Sequence, residues 1–152
     1  MKTLKKFNKN QKGFTLIELL AVIVILAVIA AIAIPLISNI IGKSKEDADM
    51  ATARQVYDAA RLYVTNESSG DFKDKVIEIT GGTDSLQVKG YLETNIALPS
   101  TKATIASGTV TFGPTGTLTN VVLRISDNEQ WTFNGSDVIA GKGKGNKTDP
   151  TP

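Results

Sequence analysis

The 152-residue chain has room for one ordinary domain plus an appendage, and its 41% hydrophobic content and mean hydropathy of −0.01 conceal a steep gradient along the chain. Without cysteine it has no disulfide framework, thiolate metal site or cysteine nucleophile, and without histidine it lacks the commonest general base and transition-metal ligand. Lys2, Lys5, Lys6, Lys9 and Lys12 stand in the first thirteen residues with no acid among them; the other 12 basic residues face 15 acidic ones, so the sequence pI of 8.8 belongs to the leader and is no argument for nucleic-acid binding by the body.

Behind the lysines comes an apolar run. Leu19 to Ile37 holds no charge and no side-chain hydrogen-bonding group. Extended to Ile41 it reaches about 34 Å as a helix, against a hydrocarbon core of about 30 Å. The lysine bias predicts a cytoplasmic N-terminus and an external C-terminal body. A cleaved secretory signal has a shorter apolar core and a small-residue cleavage site closing it, and this run offers neither. Two residues do not suit a plain anchor. Glu18 is a lone acid at the start of the run, which is costly in a bilayer and calls for a cationic partner. Pro35 lies deep in the stretch, lacks an N–H and crowds the carbonyl of Ala31, which predicts a kink or local loosening.

From Ala53 onward the helix pattern continues into water. Ala53, Val56, Tyr57, Ala60, Tyr63 and Val64 form an apolar stripe, with Asp49, Gln55, Asp58 and Thr65 on the opposite face and Arg54–Asp58 an i,i+4 pair. The stripe is expected to pack on the chain's own C-terminal sheet. Asn66 to Asp74 is a break with Gly70 at its centre, and Lys75 to Thr80 a short amphipathic segment. Thr83 is a candidate N-cap for one or two helical turns ending at Gly90. From about Ala103 a period of two predicts strands near 104–107, 109–113, 120–126, 130–134 and 138–140, with hairpin turns at Asp127-Asn128 and Asn134-Gly135. Trp131 and Phe133 alternate with Thr132, so one face of that strand is aromatic. Gly141 to Pro152 reads as a mobile polar tail. Its Lys142, Lys144 and Lys147 are the sole basis for a nucleic-acid partner, which the absence of interleaved aromatics leaves unsupported.

Lys12-Gly13-Phe14-Thr15-Leu16-Ile17-Glu18 followed by the apolar run resembles the class III signal of type IV prepilins and pseudopilins. The resemblance covers about residues 1 to 65, and Gly90-Tyr91-Leu92 extends it weakly. It implies cleavage by a prepilin peptidase between Gly13 and Phe14, N-methylation of Phe14, a part for Thr15 and Glu18 in subunit assembly, and a helix that loosens at Pro35. In a filament, Glu18 would neutralise the new amino terminus of a neighbouring subunit. Pairing within its own chain, with Phe14 or Thr15, is the alternative, and both can hold in different states.

The expectation is therefore an α+β fold of type IV pilin kind, a long N-terminal helix whose first half spans the membrane, packed against a small antiparallel sheet. The expected organisation is a cleaved leader at 1–13, an apolar helix at 14–41, its amphipathic continuation at 42–65, a globular αβ-loop and sheet at 66–140 and a flexible tail at 141–152. The function implied is a structural pilus subunit serving adhesion, motility or DNA uptake, not an enzyme, with no cofactor, metal or catalytic residue. Its partners would be further copies of itself, the membrane, the prepilin peptidase, an assembly platform and an extension ATPase. It would be a precursor in the cytoplasmic membrane and then extracellular on the cell surface. A pseudopilin or minor pilin of a type II secretion or competence system is the neighbouring alternative. A membrane-tethered surface binding protein is the alternative of another class.

Overall fold

The computed structural model describes residues 15–148. The chain divides between Ile40 and Ile41 into two compact units. Helix α1, Leu16–Glu67, is 52 residues long, and neither Pro35 nor Gly42 interrupts it. Within the first unit the helix buries no residue, and burial begins at Asp49.

In the second unit α1 turns amphipathic. Met50, Ala53, Val56, Ala60 and Val64 recur every three to four residues and are essentially closed to solvent, while Tyr57 and Tyr63 pack half-buried beside them. The predicted stripe and its packing on the sheet are what the structure contains. Asp49 is different: expected on the polar face, it is buried, and its Oδ1 accepts the Ser100 N–H at 2.9 Å. A helix pattern shows the face of a residue and not the loop that comes to cover it. The helix ends where Ser69 and Gly70 turn left-handed, and Gly70 N–H bonds the Val64 carbonyl at 3.1 Å.

Seven strands follow: β1 Val76–Glu78, β2 Ala97–Leu98, β3 Ala103–Thr104, β4 Ser107–Phe112, β5 Leu118–Ser126, β6 Glu129–Asn134 and β7 Asn146–Thr148, with a short helix α2, Gly135–Ala140, before the last. Strands β1-β4-β5-β6-β7 make one antiparallel sheet in that order, and β2 pairs with β3 apart from it. Register explains the core. Ile77 stands opposite Val110, Val110 opposite Val121 and Val121 opposite Phe133, so one row crosses four strands on the inner face, and all four are buried. The next outward row, Glu78, Thr109, Val122 and Thr132, faces away from it. Phe133 is fully buried and Trp131 half-buried against the core, so the aromatic face of β6 packs inward as predicted.

Three expectations are corrected. The segment from Thr83 to Gly90 is a series of turns, because the N–H groups of Leu86 and Gln87 bond the carbonyls of Glu78 and Ile79 at 3.0 and 3.2 Å instead of those four residues back. Residues 138–140 belong to α2 and not to a strand. Asn134, expected in a hairpin turn, N-caps the helix by accepting the Ser136 N–H at 3.0 Å, and Gly141 closes it in the left-handed region. Gly135 is required there, because any Cβ would run into the Leu118 carbonyl. The tail contains β7, which pairs Asn146, Lys147 and Thr148 with Thr132, Trp131 and Gln130 and covers the edge of β6. Strands β1, β2 and β7 were missed, each too short to display a period.

Candidate functional site

The features that the fold leaves without a purpose inside the molecule are the apolar half of α1 and its N-terminal end. Seventeen large apolar side chains between Leu16 and Ile41 are exposed, each by about half or more of its surface. Soluble monomers do not carry apolar surfaces of this extent, which mark contact with a membrane or another protein. Complete burial of one such side chain stabilises by roughly 1.5–3 kcal/mol, so a full partner for this segment is worth on the order of tens of kcal/mol before entropy is subtracted. By length and composition α1 is able to cross a bilayer.

At the head of the helix the structure brings two of the predicted residues together. Thr15 precedes α1 and Glu18 is the third residue inside it, the spacing of a reciprocal capping box. The Glu18 Oε2 accepts the Thr15 N–H at 2.8 Å and the Thr15 hydroxyl at 2.9 Å, while the Glu18 N–H points back to Thr15 Oγ1 at 3.3 Å. A carboxylate held here also lies at the positive end of the helix dipole. Pairing of Glu18 within its own chain, the alternative raised by the sequence, is thus present in the isolated subunit. The Thr-x-x-Glu spacing was the signal for it.

Gly13 and Phe14 lie outside the described residues. Pro35 sits far along the helix from Glu18 and joins no cluster with it. Because Pro35 has no N–H, the Ala31 carbonyl loses its usual partner, and one turn on the Ser38 hydroxyl bonds the Ile34 carbonyl at 3.0 Å. Such back-bonding often accompanies bent helices.

Several side chains tie the continuation of α1 to the loops and were not read from sequence as ties. Arg54, beyond its 3.3 Å contact with Asp58, donates to the carbonyls of Val138 and Ile139 at 3.1 and 2.6 Å and so caps the end of α2. Tyr91 stacks edge-on against Tyr63 with centroids 5.6 Å apart, donates to Glu67 and accepts from Asn66, each at 3.3 Å. Lys89 bridges Asp84 at 3.2 Å and Glu67 at 3.7 Å, and these carboxylates hold its ammonium pKa above the usual lysine value. Among the described residues no group of three or more His, Cys, Asp or Glu gathers to hold a metal ion.

The architecture is of type IV pilin kind: a long N-terminal helix whose second half packs on a small antiparallel sheet and whose first half is bare. Comparison with known proteins agrees. Residues 8–34 match the family described as the prokaryotic N-terminal methylation motif. The chain is 35% identical over 95 residues to the type IV major alpha-pilin of Moraxella bovis, covering 58% of this chain and 59% of that one. It is 32% identical over 72 residues to the type IV major pilin protein PilA of Myxococcus xanthus, covering 47% and 33% respectively. The matches thus span less than two thirds of either relative. No solved structure gives a significant match. Over the matched regions the chain is similar to the methylation motif and to these two type IV major pilins.

Proposed function

We propose that this chain is the structural subunit of a type IV pilus, made as a precursor in the cytoplasmic membrane with its N-terminus inside, then polymerised through α1 into a filament on the cell surface. The observation that carries the proposal is the apolar half of α1, bare in the subunit and overlapping the methylation-motif match at residues 8–34. A helix that is first dissolved in lipid and then packed among copies of itself stays out of water in both states.

The chemistry at the head of the helix is the one that the methylation motif and the likeness to pilins support. A prepilin peptidase hydrolyses the Gly13–Phe14 amide, and the Phe14 nitrogen becomes an amine of intrinsic pKa about 7.7–8.0. One methyl group leaves it basic. Inside a filament that cation needs an anion, and Glu18 of a neighbouring subunit supplies it. Thr15 holds the carboxylate at the helix head until then. Breaking a buried pair of this kind typically costs about 3–5 kcal/mol, because one charge is left alone. Pro35 gives the helix a place to loosen as subunits pack. An assembly platform and an extension ATPase drive the polymerisation, and adhesion, motility or DNA uptake are the uses such a filament serves.

The test is mass spectrometry of the N-terminal peptide in material sheared from the cell surface. The expected result is an abundant peptide beginning at N-methylated Phe14. A peptide that keeps the lysine leader and occurs only in membranes would make the chain a tethered surface protein instead.

A further inference from the structure

We propose that the loop from Gly141 to Gly145, with the adjoining stretch of α1, docks on the anionic headgroups of the outer face of the membrane. The inference rests on the reading that the apolar half of α1 spans the bilayer. The sequence Gly141-Lys142-Gly143-Lys144-Gly145 presents two lysines between three glycines, and the structure shows what the glycines are for. Gly141 is left-handed at the end of α2, and the Lys142 N–H bonds the Asp137 carbonyl at 3.1 Å. Gly143 has φ 111°, and a Cβ on it would lie 3.1 Å from the Asp137 side chain. A Cβ on Gly145 would lie 2.7 Å from the Phe133 ring. The backbone is thus drawn in against α2 and the core, while Lys142 and Lys144 stay exposed.

These lysines are not alone. Lys142 and Lys144 line one open groove of about 460 Å³ with Lys43, Glu46 and Asp47 of α1. Lys43 is two residues past Ile41, the end of the apolar run, about 3 Å of helical rise, and Lys45 follows it, also exposed. Glu46 and Asp47 stand three and four residues beyond Lys43, about 4.5 and 6 Å of helical rise farther from that end. None of the four lysines forms an ion pair among the described residues. If the apolar run fills the bilayer, Lys43, two residues past its end, is at headgroup level, and Lys142 and Lys144 line the same groove as Lys43. Basic side chains near an anionic lipid surface are attracted to it within a Debye length, about 8 Å at physiological salt. This adjacency favours lipid over nucleic acid, whose phosphates need no such position.

Because the chain has no cysteine, a single fluorophore can be placed at Asn146→Cys in the full-length protein reconstituted in lipid nanodiscs. The quencher is a nitroxide carried on a lipid headgroup, in phosphatidylcholine with or without phosphatidylglycerol. The expected result is quenching at least about twofold stronger with phosphatidylglycerol, lost in Lys142→Gln/Lys144→Gln and in high salt. Equal quenching in the two lipids, or no effect of the double substitution, overturns the proposal. Retention of duplex DNA by the nanodiscs, abolished by the same substitutions while the lipid dependence is absent, overturns it in favour of a nucleic-acid surface. A second label at Ile29→Cys separates the two readings. Quenching there by acyl-chain nitroxides in both lipids upholds the spanning helix, so that a failed docking result then bears on the docking alone, and its absence removes the spanning reading and the docking with it.

Discussion

Glu18 bonds its own Thr15 in the isolated subunit, the proposed filament gives it a second partner in a neighbour's amino terminus, and substitution can separate the two. Glutamine also closes a capping box, so E18Q keeps the local structure and removes only the charge. T15A does the reverse: it removes the hydroxyl that bonds Glu18 and keeps the carboxylate, at a cost of about 0.5–2 kcal/mol to the helix end. We expect E18Q to be inserted and processed yet to give few surface filaments, and T15A to give more of them. Sheared-fraction yields measure both, and wild-type yields from E18Q would remove the charge-pairing account. Asp49 supports a second prediction at this scale. Its Oδ1 holds the Ser100 N–H in a largely closed site, and a buried donor left unpaired costs about 1–3 kcal/mol. D49A is expected to lower stability by that amount in detergent-solubilised protein unfolded with urea. D58A, which removes an exposed i,i+4 contact with Arg54, should cost no more than about 0.5 kcal/mol.

Elements in the second unit are fixed by caps and ties more than by their own propensities. Val138-Ile139 has the composition of a strand, but Asn134 and Gly141 at the ends of α2, and Arg54 on its last carbonyls, favour the helix. The turns from Gly82 to Gly90 are held by β1 and by Lys89, whose ammonium reaches two carboxylates. The hydrogen bond and charge of Asp84 and the charge of Glu67 raise the lysine pKa in the folded state. A raised lysine pKa contributes stability that is whole below the unfolded value of about 10.4 and is lost as pH rises through the folded value. The difference in stability between wild type and K89M should therefore be constant from pH 7 to about 10 and close above it. Because the group is partly exposed, the difference should be small and shrink with salt. Urea unfolding of both proteins across that range measures it, and a gap that widens above pH 10 would contradict the assignment.

At the scale of the whole molecule, the two halves of α1 answer to different solvents. Every buried residue among those described lies at Asp49 or beyond, so the core of the second unit takes nothing from the apolar segment. A fragment beginning at Lys43 is expected to be soluble without detergent and to keep the sheet, with a melting temperature within a few degrees of the full chain's in micelles. Circular dichroism checks it, and a fragment that is unfolded would mean that the apolar half stabilises the second unit. The full chain, by contrast, should require lipid, detergent or its own copies.

Much of this protein is fixed locally and can be read from the chain. The apolar run, the Thr15–Glu18 spacing, the stripe from Ala53 to Val64 and the alternation in β4, β5 and β6 each follow from a short-range period or a fixed offset, and the inward aromatic face of β6 follows from alternation alone. What the tertiary structure decided depends on partners distant in sequence. Leu86 and Gln87 give their N–H groups to Glu78 at the end of β1 and to Ile79 just after it, and leave no helix at Thr83. Asp49 is buried because the loop at Ser100 comes over it. Asn146 to Thr148 form a strand because β6 offers an edge. Lys142 and Lys144 come to Lys43 because three glycines draw the loop against α2 and Phe133. A period reports which side of an element is apolar, whereas the groups that satisfy its hydrogen bonds and charges are set by where the rest of the chain folds.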